Sequence, residues 1–223
     1  LALLKQSCAI IVVDTNENSL KIAKLCFEEI KGSEKHKVSY QTEIKNSKFL
    51  HFNLCIIATN SKIRSLIIKE LLSSASVDFF ILEKVLFQTV KEYKDIEELF
   101  KRSNSIAYVN CPGRSYDFYK TLKESINLKQ PIQMEIIGNN WGLGCNSIHF
   151  IDMFNFFTDE IISEWQNNLD VGYKSSKREG YKEFFGNISG QTTNKSRLSI
   201  TCYENEEKTN YSIRISTPNQ RII

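Results

Sequence analysis

The segment Phe80-Ile81-Leu82-Glu83-Lys84-Val85 ends an apolar run in a carboxylate and an ammonium group. Such a run predicts a strand buried on both faces, and the ligands of open α/β sheets bind beyond the carboxyl ends of these strands. Lys84 would then reach into a crevice, where its amine can exchange a proton with a substrate. We interpret Glu83 as a strand-end partner that orients the backbone or a cofactor. The alternative is a strand that simply meets a solvated loop.

A second candidate group lies in Trp141–Asp152, where a loop that contains two glycines precedes a predicted helix over Ile148–Phe157. His149 and Asp152 are three residues apart and therefore lie on one face of that helix. A histidine there can act as an acid, a base or a hydrogen-bond partner in the same cleft as a carboxylate. The alternative is a core histidine, because apolar residues surround it in the sequence.

Asp14 ends the apolar run Ile10-Ile11-Val12-Val13, which predicts another buried strand. A carboxylate at this position can accept hydrogen bonds from the ribose hydroxyls of a dinucleotide, and it would repel a ribose phosphate. No arginine follows within Thr15-Asn16-Glu17, so the pattern favours NAD over NADP. The alternative is that Asp14 caps a turn or the helix that follows.

Ala58-Thr59-Asn60 ends a further predicted strand with small and polar residues, directly before a helix. In that geometry the backbone N–H groups and the Thr59 hydroxyl can approach a cofactor at the helix N-terminus. Thr59 and Asn60 are therefore candidate cofactor contacts. The alternative is that Asn60 or Ser61 is an ordinary helix N-cap.

The elements that would position these residues alternate, in the first half of the chain, between short apolar runs and helical patterns, as in βαβ units. The predicted strands are Ala9–Asp14, Val38–Tyr40, Leu54–Thr59, Asp78–Leu82 and Ile106–Val109. The predicted helices are Asn18–Ile30, Val90–Arg102 and Ser61–Ser73, the last with Ile63, Leu66, Ile67 and Leu71 on its apolar face. This order indicates a parallel sheet covered by helices.

Asn110-Cys111-Pro112-Gly113 is the best candidate for a domain boundary, since proline and glycine together interrupt helices and strands. Beyond it the sequence predicts a helix at Tyr116–Ile126, the helix at Ile148–Phe157, and strands at Ile132–Ile137, Glu183–Ile188, Leu198–Tyr203 and Tyr211–Ile215. Successive strands joined by polar turns favour antiparallel pairing. We therefore predict an α/β, Rossmann-like domain over residues 1–110 and an α+β domain with a large, mostly antiparallel sheet over residues 111–223.

The composition argues against several classes of function. The 223 residues carry a net charge of +3, and the lysines are interspersed with acidic residues, so nucleic-acid binding is not expected. No apolar stretch is long enough to span a bilayer and no secretory signal is evident, which predicts a cytoplasmic protein without membrane contact. The six cysteines lack zinc-site spacing, so no metal is expected, and Cys26 and Cys55 are predicted to be buried thiols.

Taken together and in order, these residues resemble the Gfo/Idh/MocA family, which includes glucose-fructose oxidoreductase and inositol dehydrogenase, over nearly the whole chain. One family strand ends in an aspartate like Asp14, and a second ends in Ala-Thr-Pro, where this chain has Ala58-Thr59-Asn60. A third ends in Glu-Lys-Pro, where this chain has Glu83-Lys84-Val85. The resemblance implies a Rossmann domain, lacking its first strand here, and an open sheet that often forms the contact between subunits of a homo-oligomer.

The second half carries the remaining motifs. Asn110 and Arg114 resemble the family's Asn-x-x-x-Arg segment, and the loop with His149 and Asp152 resembles its Asp-x-x-x-His-x-x-Asp motif. The resemblance implies hydride transfer between NAD, or less favourably NADP, and a hydroxyl-bearing carbon of a sugar or nucleotide sugar. Lys84 would exchange the hydroxyl proton, assisted by His149. The implied cofactor contacts are Asp14, Thr59, Asn60, Glu83 and Lys84, and the implied substrate contacts are Lys84, Asn110, Arg114, Asn146, His149 and Asp152.

Three residues depart from the family pattern. Val85 and Asn60 replace prolines, and Cys145 replaces the aspartate of the histidine motif. These changes leave the lysine and the histidine in place, and they favour, as an alternative, a non-catalytic member of the same fold that binds a nucleotide or a sugar. The glycine-rich turn that usually opens a dinucleotide-binding domain is missing from the sequence, so we expect a chain that is cut at its N-terminus and continues beyond its last residue. The alternatives for the turn itself are a position upstream of Leu1 and absence from the protein.

Overall fold

The computed structural model describes residues 1–44, 50–126, 130–176, 179–205 and 209–221. Its helices are α1 Glu17–Glu28, α2 Ser61–Ser74, α3 Val90–Ser103, α4 Asp117–Ser125 and α5 Leu143–Thr158. Its strands are β1 Ala9–Val13, β2 Lys37–Gln41, β3 Leu50–Ile57, β4 Ala75–Leu82, β5 Ile106–Val109, β6 Gln133–Asn139, β7 Ile162–Leu169, β8 Lys174–Ser175, β9 Lys182–Glu183, β10 Gly186–Thr192, β11 Arg197–Tyr203, β12 Asn210–Thr217 and β13 Gln220–Arg221. Each predicted helix and strand overlaps an observed element, and the α/β fold class is confirmed.

The strands of the first half form parallel ladders, as predicted. β1 pairs with β2, while β3, β4 and β5 form a three-stranded sheet in that order, and β1 and β3 do not pair with each other within the described ranges. Ile57 pairs with Leu82, which in turn pairs with Val109, so the three strands end at one level. The residues that follow these strands therefore leave the sheet along a single edge.

Helix α2 packs on this sheet through a face that matches the predicted one only in part, since Leu71 is buried and Ile67 packs against the core as predicted. The buried residues of α2 are Ser61, Arg64, Ser65, Ile68 and Leu71. Ile63 and Leu66 are exposed, so their predicted burial is wrong. Because the helix has roughly 3.6 residues per turn, a face that carries Ile68 and Leu71 also carries position 64, and this places Arg64 in the interior.

The second sheet has six strands in the order β13-β12-β6-β11-β10-β7. Its neighbouring strands are antiparallel except β6 and β11, which are parallel, and the predicted mostly antiparallel sheet is therefore confirmed. Helix α5 contacts this sheet and contributes five large side chains to its hydrophobic core, namely Leu143, Phe150, Met153, Phe154 and Phe157. His149 of the same helix lies outside that core.

Several element boundaries differ from the prediction, and two of these differences lie near Lys84's partners on α5. Helix α5 begins at Leu143, so most of the predicted glycine-containing loop is helical. Glu183 accepts a hydrogen bond from the backbone N–H of Gly144 at 2.8 Å, and it thereby satisfies the helix N-terminus from a distant part of the chain. The strand predicted over Glu183–Ile188 is interrupted before β10, because Gly186 adopts a φ of +108°, which residues with a side chain rarely adopt.

Two further expectations concern the state of the cysteines and membrane-spanning helices. No disulfide joins the six cysteines, all of which lie in the described part of the chain. Burial raises the pKa of the Cys55 thiol to about 11. Cys26 is exposed and its predicted burial is wrong, because it shares the outward face of α1 with Ile22, which is 61% exposed. No helix among the described residues is both long and apolar enough to cross a membrane.

Candidate active site

Lys84, which follows β4, connects the first sheet to helix α5. Its Nζ donates hydrogen bonds to the backbone oxygen of Cys145 at 3.0 Å and to Oδ1 of Asn146 at 2.9 Å. Asn146 is held in turn, since its Nδ2 donates to the backbone oxygen of Trp141 at 2.6 Å. The peptide bond between Lys84 and Val85 is cis. Two of the predicted site residues, Lys84 and Asn146, are therefore in direct contact.

His149 lies about one helical turn after Asn146 on α5 and is half-buried rather than enclosed. Burial lowers the pKa of the imidazole below its ordinary value of 6.5, and the Lys84 ammonium lowers this pKa further. The carboxylates of Glu83 and Asp152 act in the opposite direction with a smaller effect. His149 is therefore neutral at physiological pH, and a neutral imidazole can donate one hydrogen bond and accept another.

Two side-chain pairs lie in the same region. Asn110, which follows β5, donates from Nδ2 to Oε1 of Glu83 at 2.5 Å. Arg114 donates to both carboxylate oxygens of Asp152, with its Nε 2.9 Å from Oδ2. This bidentate hydrogen bonding raises the pKa of the Arg114 guanidinium. Four predicted contact residues thus form two fixed pairs, one of them next to Lys84 in the chain.

Cys111 belongs to this cluster, although the sequence indicates no role for it. Its thiol is buried, and burial raises its pKa. The charges that act on it are those of Asp152, Arg114, Lys84 and Glu83, so the thiol lies among the paired groups. Its position directly after Asn110 is the one signal that could have indicated it.

Glu183 and Arg64 also support the site, although neither is among the predicted site residues. Glu183 holds the α5 N-terminus beside Cys145, but it comes from β9, 39 residues beyond its partner Gly144. Arg64 of α2 donates to backbone oxygens at the ends of both β3 and β4. The helical spacing of Ser61, Arg64 and Ile68, which places them on one face of α2, is the signal that could have indicated Arg64.

Thr59 and Asn60 lie beyond β3, on the same edge of the sheet as Lys84. The Oγ1 atom of Thr59 is buried and has no hydrogen-bond partner among the described residues. Asn60 is the N-cap of α2, where its Oδ1 accepts a hydrogen bond from the backbone N–H of Lys62 at 3.0 Å. The N-cap alternative for Asn60 is therefore confirmed.

Asp14 follows β1 in the other parallel ladder, and no hydrogen bond or ion pair joins it to the Lys84 region within the described residues. Its carboxylate is exposed and accepts a hydrogen bond from the backbone N–H of Asn16 at 2.8 Å, as in the turn-capping alternative. An exposed carboxylate and the unpaired hydroxyl of Thr59, both beyond strand ends, fit a nicotinamide dinucleotide. Over the described ranges, no group of three or more His, Cys, Asp or Glu side chains could hold a metal ion.

Comparison by sequence with family models and with curated proteins found no match. Comparison by structure found a probable dehydrogenase from Thermotoga maritima, with a TM-score of 0.68 and 12% identity over 97% of this chain and 74% of the other. The WlbA dehydrogenase from Bordetella pertussis, in complex with NADH and UDP-GlcNAcA, matches with a TM-score of 0.66 and 12% identity over 98% of this chain and 73% of the other. A super-repressor mutant of Gal80p from Saccharomyces cerevisiae matches with a TM-score of 0.61 and 10% identity over 95% and 71%, respectively. The chain therefore has the fold of the Gfo/Idh/MocA-type dehydrogenases and oxidoreductases.

Proposed function

We propose that this chain forms part of an NAD(P)-dependent oxidoreductase that transfers a hydride between the cofactor and a hydroxyl-bearing carbon of a sugar or nucleotide sugar. The observation that carries this proposal is the contact of Lys84 with α5. The Lys84 Nζ lies 2.9 Å from Oδ1 of Asn146, and its charge contributes to the lowered pKa of His149. An amine and a neutral imidazole from the two halves of the chain thus lie close together. The exposed Asp14 carboxylate favours NAD, because it would repel a ribose phosphate.

The residues of this chain would handle the proton of the reaction. A nicotinamide cofactor, when bound, supplies the acceptor or donor of the hydride. A carbinol carbon can release hydride only as its hydroxyl loses its proton, and Lys84 is the base proposed to accept that proton. The backbone oxygen of Cys145 and Oδ1 of Asn146 accept hydrogen bonds from the ammonium that results. His149 would donate a hydrogen bond to the substrate oxygen, and in the reverse direction Lys84 would return the proton.

Several fixed polar groups near Lys84 support a substrate rich in hydroxyls. The Asp152 carboxylate can accept hydrogen bonds from sugar hydroxyls, while Arg114, which holds it, can donate to substrate oxygens. Asn110, paired with Glu83, offers a further amide at the strand edge. The WlbA dehydrogenase, which shares the fold, is in complex with UDP-GlcNAcA, and this supports a nucleotide sugar.

We also propose that the protein is a cytoplasmic homo-oligomer whose subunits meet through the outer face of the six-stranded sheet. On β11, the buried Leu198, Ile200 and Cys202 alternate with the half-buried Ser199 and Thr201, which point to the opposite face. A face of short side chains lets a second sheet approach closely. Light scattering on the purified protein should give a mass that is a multiple of the monomer mass, and a monomer at all concentrations would contradict this contact.

The proposed reaction is tested by the variant Lys84→Met in the protein with its native flanking residues. NADH formation with the best substrate from a panel of sugars and nucleotide sugars should fall about 100- to 10,000-fold, the usual contribution of a general base. The matched control is Lys101→Met, because Lys101 is exposed on α3 and pairs only with the exposed Glu97 among the described residues. Normal turnover by Lys84→Met would contradict the mechanism.

A second candidate function is the binding of a nucleotide or a sugar without catalysis. Two observations favour it. Cys145, whose backbone oxygen accepts a hydrogen bond from Lys84, has a thiol side chain where the family has the carboxylate of an aspartate. The super-repressor mutant of Gal80p shares the fold. In this case NAD or a nucleotide sugar should raise the melting temperature, because a ligand of the folded state stabilises it. The same panel should then give no substrate-dependent NADH, and any such signal would exclude the non-catalytic function.

A further inference from the structure

Arg64 of α2 is buried, with only 1% of its surface exposed. Its guanidinium donates to three backbone oxygens: Nη1 contacts those of Val85 at 2.6 Å and Leu86 at 2.8 Å, and Nη2 contacts that of Thr59. Burial lowers the pKa of the guanidinium, and the Glu83 carboxylate partly opposes this effect. A cation is thus held in the interior by backbone oxygens at the ends of two neighbouring strands.

Burial of a charge without a directly bonded carboxylate is costly, and an apolar residue such as Ile68, one turn further along α2, would fill the same face without that cost. The three backbone oxygens that accept hydrogen bonds from the guanidinium explain why an arginine occupies this position. β4 ends at Leu82, so the carbonyls of Val85 and Leu86 lie in a loop beyond the sheet ladder. A guanidinium can satisfy several such oxygens at once, because its donors form a planar fork.

The same face of α2 holds the rest of this loop. Ser61 Oγ accepts a hydrogen bond from Gln88 Nε2 at 2.5 Å, and Ser65 Oγ donates to Glu92 Oε1 at 2.6 Å. Together with Arg64, these residues tie the chain from residue 85 to residue 92 against α2. The loop begins directly after Lys84, whose Nζ reaches across to α5.

We propose that Arg64 is a positioning residue for Lys84. By joining the carbonyls of Val85 and Leu86 to that of Thr59, it fixes the backbone that follows Lys84, and so determines where Nζ meets Cys145 and Asn146. The effect on turnover rests on the proposed oxidoreductase function, whereas the effect on the Lys84 amine does not. Lysine cannot replace this arginine, because a single ammonium nitrogen does not span the carbonyls that follow two different strands.

The test is Arg64→Lys in the protein with its native flanking residues, with Arg102→Lys as the matched control. Arg102 is an exposed arginine on α3 that pairs with Glu98. Competitive labelling of amines with acetic anhydride, read by mass spectrometry across a range of pH, measures the reactivity of the Lys84 amine without any turnover. Arg64→Lys should increase that reactivity about tenfold, as expected when a charged group loses a hydrogen bond, and Arg102→Lys should leave it unchanged.

If the protein turns over a sugar, Arg64→Lys should lower kcat about 10- to 100-fold with little change in KM, as expected for a base displaced from its reactive geometry. Lys84 reactivity equal to wild type in a folded Arg64→Lys variant overturns the proposal, whatever the activity. Absence of turnover in the wild type counts against the proposed function alone, and the labelling result then decides the role of Arg64. If Arg64→Lys does not fold, the same labelling of the Lys84 amine is applied to Arg64→Gln: raised reactivity supports the proposal, and wild-type reactivity overturns it.

Discussion

Replacement of Phe154 by alanine should destabilise the protein by about 3–5 kcal/mol, the usual cost of removing a buried phenyl ring. Phe154 is 0% exposed and lies in the core that joins α5 to the six-stranded sheet. The truncation removes the contacts between the ring and the surrounding core, and it leaves a cavity that the neighbouring strands can fill only in part. For a chain of this size, a loss of this magnitude corresponds to a fall in melting temperature of about 6–20 °C.

Urea unfolding, followed by circular dichroism and by the fluorescence of the buried Trp141, measures this loss in the same core. The matched control is Phe156→Ala on the same helix. Phe156 is half-buried, and its ring lies against the Lys123 ammonium at 4.7 Å, so its truncation should cost only about 1–2 kcal/mol. Equal losses in the two variants would refute the assignment of Phe154 to the interior and the packing of α5 that places Asn146 and His149.

Three further predictions concern His149 and Gly138. Lys84→Met should raise the pKa of His149, because it removes the ammonium that lowers it, and NMR titration of the imidazole checks this; an unchanged pKa would show that the two groups are not close. Since the pKa of His149 is lower in the folded than in the unfolded state, its protonation costs stability as the pH falls below about 6.5. His149→Gln should therefore lose less stability than the wild type in that range, and equal slopes would contradict the lowered pKa. Gly138→Ala should cost about 1–3 kcal/mol or more, because its Cβ would lie 2.1 Å from the backbone oxygen of Asn210 on the next strand. In Gly113→Ala the added Cβ would meet only the flexible end of Met153 at 3.3 Å, so thermal unfolding should separate the two variants.

Local sequence patterns predict a helix or strand best where the residues within it or next to it determine its ends. The strand Ile106–Val109 is observed with the predicted ends, and α3 extends only one residue beyond its prediction. Both are bounded by residues that act locally, such as Thr89, whose hydroxyl accepts a hydrogen bond from the Glu92 backbone at the start of α3.

Sequence patterns give a wrong prediction where a residue far away in the chain determines which residues are buried or where an element begins. The apolar Leu66 predicts the buried face of α2, yet the loop after Lys84 draws Arg64 into the interior instead. Similarly, α5 begins before its predicted start, where Glu183 of β9 accepts a hydrogen bond from the backbone N–H of Gly144. These contacts join residues far apart in the chain, and a short window of sequence does not contain both partners.

By itself, the sequence determined the order of the helices and of most strands, together with the residue types at the strand ends, because apolar periodicity and turn residues act over short distances. It did not predict β7, β8 or β13. Lys84 and Asn110 could thus be placed after their strands, and Thr59 at the end of its strand, without a structure. Only the tertiary structure decided that the Lys84 ammonium meets α5 and that Arg64 holds the loop beside it. Those contacts depend on how the sheet and the helices pack, which is determined by the whole hydrophobic core and not by any one segment.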